Sequence, residues 1–289
     1  MKLQSKHKGI LFILMAAFFF AGNALFVRLA GDIPTMQKSF FRNVIAMLIA
    51  SIILLREGNG FRPVYRKNWP QLIARATFGT IGLLCNFYAV DHLLLSDASM
   101  LNKMSPFFAV LASVFLLKEK LKPVQVIALV GAFTGALFII KPTLSNMDLG
   151  ASVIGFLGGA CAGVAYTLVR LLGQRGEKSS FIVFFFSAFS CLVTIPHMVL
   201  RGVPMSLQQT LCLLGTGVCA AAGQFSITAA YRCAPAREIS VFDYSQVIIS
   251  AVMGFFVFGD VPDGYSFLGY FIICGMALLN FWYNNRPQK

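Results

Sequence analysis

Charged residues are scarce in this chain. Only 12% of its 289 residues are Asp, Glu, Lys or Arg, and the acidic residues number 11. Apolar residues make up 57%, and the mean hydropathy is +0.75. A soluble domain of this size needs a surface far richer in charge. The composition therefore excludes a soluble globular protein. It also excludes a nucleic-acid-binding module, which would need a basic face on a soluble fold.

The sequence also has little of what catalysis or metal binding needs. Its seven cysteines are scattered, with no CxxC pair, and read as small apolar residues. His7, His92 and His197 are too far apart in the chain to suggest a metal site. No HExxH, GxSxG or nucleotide-binding loop occurs. We therefore expect no metal, no cofactor, no enzymatic activity and no ATP motor within the chain.

Long apolar runs are abundant, and their length of about 20 residues matches the thickness of a bilayer. They lack the alternation of a membrane β-barrel, so the sequence predicts an all-α membrane protein. We predict ten transmembrane helices at residues 9–29, 36–55, 72–91, 95–117, 124–141, 150–170, 180–200, 207–231, 238–258 and 265–283.

The second half of the chain repeats the first with an offset of roughly 141 residues. Ungapped pairs include Gly82 with Gly223, and Glu119 with Asp260. We predict two repeats, residues 1–146 and 147–289, each with five helices. Because five is odd, the second repeat enters the membrane from the opposite side. The two copies are therefore expected to be inverted, an arrangement typical of secondary transporters.

Basic residues are distributed unequally between the two ends of the predicted bundle. With a cytoplasmic N-terminus, eighteen of the 24 basic residues, Arg75 among them, fall on or near the inner face. Most acidic residues fall on the outer face. This is the positive-inside pattern. We predict a multi-pass plasma-membrane protein with both termini in the cytoplasm, as a monomer or a weak homodimer.

Several segments resemble the EamA-type branch of the drug/metabolite transporter superfamily. The segments that carry this resemblance are Asn23–Arg28, Phe41-Arg42, Ser105-Pro106-Phe107, Leu117–Leu121, Gly131–Gly135 and Lys141-Pro142. In the second copy, Asp260 replaces the usual glutamate, and Val247 stands where copy one has proline. The resemblance covers essentially the whole chain. It implies a ten-helix transporter of small metabolites, often an exporter.

Polar residues inside the predicted spans mark candidate sites, because the bilayer makes them costly. On the fourth span Asn102, Ser105, Ala109 and Ser113 share a face, and the repeat places Asp243, Gln246, Ser250 and Gly254 on the matching face of the ninth. These faces either line a central cavity or mediate close helix packing. The candidate substrate-binding residues are Asn23, Asn86, Asn102, Lys103, Tyr166, Gln224, Asp243, Tyr244 and Gln246.

Asp243 is the leading candidate, about 7 Å into its helix at the usual rise per residue. There it could bind a cationic group or carry a proton, or it could be an interfacial carboxylate beside Arg237. Lys103 could meet a substrate carboxylate or Asp243, or extend to the surface. Asn102 aligns with Asp243 and Lys103 with Tyr244. We expect these four, where the copies differ, to read an asymmetric substrate.

Together these features predict a secondary transporter working by alternating access on a small organic metabolite. An amino acid or related compound is the leading substrate class, with export slightly favoured by the resemblance. One alternative is a proton-coupled importer of a cationic or nucleoside-like solute. Another is a lipid-handling or enzymatic membrane protein. The glycines at 155, 159 and 163 form a GxxxG ladder that predicts close packing within the protomer.

Overall fold

The computed structural model of the chain is a bundle of α-helices. The structure describes residues 2–57, 61–116, 118, 123–140, 148–233 and 240–284, and it contains no strand in these ranges. In a bilayer, backbone N–H and C=O groups must be paired within the protein, and a helix pairs them within one segment. The predicted all-α membrane class is therefore confirmed.

Eleven α-helices occur in the described residues. In chain order they are α1 (Lys2–Leu29), α2 (Thr35–Arg56), α3 (Trp69–His92), α4 (Leu95–Asn102), α5 (Ser105–Leu116), α6 (Pro123–Ile140), α7 (Leu149–Gln174), α8 (Ser179–Arg201), α9 (Leu207–Cys233), α10 (Ser245–Phe258) and α11 (Gly264–Asn284). Short 3₁₀ helices precede α3 (Arg66–Asn68) and α10 (Ser240–Tyr244). Within the described ranges, nine spans are long and apolar enough to cross a membrane, and a tenth is shorter. This agrees with the predicted count.

The fourth span is interrupted in the middle, contrary to the continuous helix predicted over 95–117. A turn at Lys103 and Met104 separates α4 from α5. Pro106 explains the break, because its ring has no N–H and clashes with the carbonyl four residues earlier. The face predicted from helical spacing is therefore split, with Asn102 on α4 and Ser105 on α5. Residue 117 lies outside the described residues.

The ninth span departs from the prediction at the equivalent point. Residues 240–244 form a 3₁₀ helix, and α10 begins only at Ser245. Residues 238 and 239, where the helix was predicted to start, lie outside the described ranges, as do Arg237, residues 119–122 and Lys141-Pro142. Lys103 and Tyr244 are one repeat apart, so both copies change their helical geometry at matching places. Discontinuous helices of this kind often form the substrate sites of inverted-repeat transporters.

Helix contacts follow the two-fold relation expected of inverted copies. The first span packs on the eighth (α1 on α9), and its repeat counterpart, the sixth, packs on the third (α7 on α3). The second and seventh spans pack on each other, as do the fifth and tenth. Each of these last pairs joins a helix to its own counterpart. The two interrupted spans, the fourth and the ninth, also pack on each other (α4 on α10).

The glycine ladder of α7 packs within the protomer, as predicted. A Cβ on Gly159 would lie 2.5 Å from the Leu101 carbonyl oxygen, and one on Gly163 would lie 2.6 Å from the Ser105 carbonyl oxygen. These glycines let α7 approach both halves of the fourth span closely. The approach fixes the interruption at Lys103 against the rest of the bundle.

Ion pairs join the helices at the end of the bundle away from the N-terminus. Arg28 forms an ion pair with Asp260, and the Lys38 ammonium lies 2.6 Å from the Asp91 carboxylate. Asp260 also accepts a hydrogen bond of 3.1 Å from the backbone N–H of Leu95, at the start of α4. Its carboxylate thus compensates both a cation and a helix N-terminus.

Candidate substrate site

A salt bridge connects the two interrupted spans. The Lys103 Nζ lies 2.5 Å from Asp243 Oδ2, and the two side chains are only 9% and 15% exposed. The Lys103 ammonium therefore lies in the bundle interior and does not extend to the surface. The second carboxylate oxygen, Asp243 Oδ1, is buried and accepts no hydrogen bond from the described residues. The pair therefore retains one acceptor for a further donor.

Tyr244 supports this pair from the second repeat. Its hydroxyl donates a 3.2 Å hydrogen bond to the Lys103 carbonyl oxygen, at the point where α4 ends. A helix end leaves carbonyls without intrahelical partners, so the tyrosine satisfies one that the interruption exposes. Three of the four residues at which the copies differ are thus in direct contact.

Tyr166 links this cluster to a second group of charges. Tyr166 belongs to α7, and the residue is 49% exposed. The side chain also interacts electrostatically with Asp243, Arg75 and Arg42, which lie on three other elements. Tyr166 therefore lies between the two groups of charges.

Two arginines form the other group, and both lie against the ring of Phe186. The guanidinium carbons of Arg75 and Arg42 lie 4.1 and 5.7 Å from the ring centroid. Arg75 is only 5% exposed. Its Nη1 atom lies over Gly79, where a Cβ would clash with it. Since Gly79 is one turn deeper in α3, the absent side chain lets Arg75 extend into the bundle.

The remaining candidates are Asn23, Asn86, Asn102, Gln224 and Gln246. Asn23 donates a 2.8 Å hydrogen bond to the Thr216 carbonyl, which ties α1 to α9. Gln246 is 5% exposed, whereas Asn86, Asn102 and Gln224 are half-buried. The structure therefore brings together Lys103, Tyr166, Asp243 and Tyr244, and gives Asn23 an interhelical contact.

Sequence reasoning missed Arg42, Arg75 and Phe186 as members of the site. Arg75 was counted with the charges of the membrane surface, but its guanidinium points inward from about 9 Å along α3. The available signals were an arginine inside an apolar span at position 42 and a glycine one turn after Arg75. Both indicate a cation placed within the membrane.

A separate groove of about 250 Å³ lies between α3, α5 and α7. Its lining consists of Phe78, Phe108, Leu111, Ala112, Phe115, Ala160, Cys161 and Val164. Phe115 is 76% exposed, as expected of a side chain facing lipid. This groove offers no charged group to select a polar metabolite, so the cluster of charges is the better candidate site.

Comparison with known sequences agrees with the duplication of the chain. The sequence profile of the EamA-like transporter family matches residues 7–141 and again residues 149–282. The chain belongs to the EamA-like transporter family. The resemblance seen in the sequence is thereby confirmed, and the chain is a multi-pass membrane transporter of small metabolites. The boundary between the repeats at 146 and 147 stays a prediction.

The relatives carry several different substrate names. The chain is 32% identical over 271 residues to the pseudopaline exporter CntI of Pseudomonas aeruginosa, covering 93% of this chain and 94% of that one. It is 25% identical over 292 residues to the riboflavin transporter of Vibrio cholerae, covering 98% and 96%. A protein of known crystal structure is 16% identical and superposes with a TM-score of 0.65 over 95% of this chain and 96% of that one. That last likeness supports the fold alone.

Proposed function

We propose that the chain exports an amino acid or a closely related metabolite across the plasma membrane by alternating access. The observation that carries this proposal is the Lys103–Asp243 pair, whose second carboxylate oxygen has no partner among the described residues. An amino-acid head group carries one positive and one negative charge. It can therefore replace the pair, placing its ammonium on Asp243 and its carboxylate on Lys103.

This exchange suits a reversible site in a low-dielectric interior. Breaking a buried ion pair is costly when either charge is left alone. A zwitterion compensates both charges at once, so binding keeps the site neutral. Because Lys103 and Asp243 belong to different repeats, separating them loosens the contact between the copies. Substrate binding would thus be coupled to the relative motion that exposes the site to the other side.

Export rather than import is favoured by the 32% identity to an exporter. The positive-inside distribution supports cytoplasmic termini.

Counterflow in liposomes tests the transport proposal directly. Liposomes that contain the purified protein and an unlabelled amino acid should take up the labelled amino acid from outside. A larger internal excess of the unlabelled amino acid should accelerate this uptake. Solute-independent lipid flipping without counterflow would favour the lipid-handling alternative instead.

Proton-coupled import of a cationic or nucleoside-like solute is the second candidate, supported by the partner-free Asp243 Oδ1. Asp243→Asn separates the two proposals. If the carboxylate carries protons, the variant loses pH-driven uptake but retains exchange. If it binds the substrate ammonium, the variant loses both. Asp263→Asn is the matched control, because Asp263 lies in the link before α11 and caps the Ser266 N–H.

A further inference from the structure

The two guanidinium groups beside the Phe186 ring carry positive charge that no described carboxylate neutralises. The Arg75 Nε and Nη1 atoms, and the Arg42 Nε atom, are buried and have no hydrogen-bond partner among the described residues. No described carboxylate forms an ion pair with either guanidinium. Burying a charge without a partner is costly, and natural proteins keep such groups chiefly where they function.

The position of these groups places them within the membrane. Arg42 lies seven residues after the start of α2, about 10 Å from the end of the bundle that holds Arg28. Arg75 starts from the opposite end and extends inward across Gly79. The two arginines also interact electrostatically with each other. Two like charges thus approach each other from opposite ends of the bundle.

Neighbouring contacts hold the two guanidinium groups in place without neutralising them. The Arg42 Nη1 donates a 2.7 Å hydrogen bond to Asn43 Oδ1. Asn43 is itself fixed by a 2.9 Å hydrogen bond from its Nδ2 to the Ser39 carbonyl. The face of Phe186 attracts both cations. These neutral contacts orient the arginines but leave their net charge available to a ligand.

We propose that Arg42 and Arg75 form a subsite for an oxyanion group of the substrate, with Tyr166 between this subsite and the Lys103–Asp243 pair. The proposal rests on the proposed function, since the amino-acid head group occupies the ion pair. Guanidinium groups bind carboxylate and phosphate through paired N–H donors. The substrate class is therefore an amino-acid-like metabolite that bears at least one additional carboxylate or phosphate.

Thermal-shift measurements on the purified, full-length protein test the subsite. The probes are glutamate, phosphoserine, leucine and lysine, each at matched concentration and ionic strength. We expect glutamate or phosphoserine to raise the melting temperature more than leucine does, and lysine to raise it least. The better of the two acids identifies the oxyanion as carboxylate or phosphate. Equal shifts for all four probes would overturn the subsite.

Arg75→Gln and Gly79→Ala then test the residues. Arg75→Gln should weaken binding of the preferred acid about 10–100-fold, the range expected for charge-assisted hydrogen bonds, and should weaken leucine binding far less. Without ligand, this variant should melt at or above the temperature of the unmodified protein, because it removes an uncompensated buried charge. A lower melting temperature with an unchanged preference for acids would show a structural role only.

Gly79→Ala keeps both charges but displaces the Arg75 guanidinium. It should reduce acid binding, whereas Gly275→Ala, where a Cβ meets nothing within 4 Å, should not. Counterflow separates failure of the subsite from failure of the proposed function. Counterflow of leucine without preference for acids would disprove the subsite alone. Lack of counterflow for all four probes would disprove the proposed function, and the acid-dependent thermal shift would still decide the subsite.

Discussion

The Lys103 ammonium lies 2.5 Å from the Asp243 carboxylate, and each residue stands at the interruption of its own span. The two residues belong to different repeats and are not equivalent, because Lys103 aligns with Tyr244 and Asn102 with Asp243. A perfectly symmetric duplication would make this contact twice, between positions 103 and 243 and between positions 102 and 244. Only the first of these two contacts carries both charges, so the copies differ by a single, asymmetric ion pair.

Removing one partner of this pair should destabilise the protein more than removing both. Lys103→Met or Asp243→Asn leaves the other charge buried and unpaired, which should lower the free energy of unfolding by about 3 kcal/mol. The double variant should recover most of that loss. Thermal unfolding in one detergent compares the three.

Lys178→Met is the control for that comparison. Lys178 lies 3.8 Å from Glu57 at a surface where both side chains are roughly 40% exposed. Exposed pairs contribute at most about 1 kcal/mol. A double variant no more stable than the worse single variant would contradict the pairing.

Tyr244→Phe should have a smaller effect. The change deletes the hydroxyl that donates to the Lys103 carbonyl but keeps the packing of the ring. The expected loss is about 1 kcal/mol of unfolding free energy. Tyr65→Phe, at a tyrosine that is 58% exposed, should leave the melting temperature unchanged. Equal effects of the two substitutions would show that the buried hydroxyl contributes nothing.

Gly159→Ala should separate α7 from the fourth span. The added Cβ would lie 2.5 Å from the backbone oxygen of Leu101, which cannot move without the whole of α4. We expect a loss of about 1–3 kcal/mol, measured by unfolding. Gly150→Ala, on the same helix with nothing within 4 Å of the new methyl group, should be neutral. A neutral Gly159→Ala would mean that the helices are less closely packed than described.

Asp260→Asn should weaken the end of the bundle that the ion pairs join. The carboxylate receives Arg28 and the Leu95 N–H, and it is 7% exposed. An amide keeps one acceptor oxygen but loses the charge, so a loss of about 1–3 kcal/mol is expected. Asp32→Asn should be nearly silent, because the Asp32 side chain is exposed and exposed charges contribute little to stability. Comparable losses in both variants would contradict the stabilising role of Asp260.

The membrane class and the span count followed from the sequence because they depend on long apolar runs. The inverted arrangement followed from an odd number of spans per copy. Both predictions rest on averages over many residues, so no single side chain could make them wrong. Tyr166, Lys103, Asp243 and Tyr244 were singled out from the sequence because polar groups inside apolar runs stand out, and their role in substrate binding stays a prediction.

The interruptions at Lys103 and Tyr244 were missed because hydropathy does not register backbone geometry. Pro106 was visible, but it occurs in the first copy only, and Val247 gave no equivalent warning. The inward direction of the Arg75 side chain was not predicted, because position along the chain fixes only the Cα atom. A long side chain can extend about one turn in either direction, and the free space over Gly79 decides which.

The ion pair between the copies also sets an order of events during synthesis. Lys103 enters the membrane 140 residues before its partner is made. At roughly 5–20 residues per second, the ammonium waits about 7–28 seconds for Asp243. During that time the first five spans hold an uncompensated cation, which water, lipid headgroups or a membrane-inserting chaperone must accommodate. The first repeat is therefore least stable while the ribosome is still completing the second.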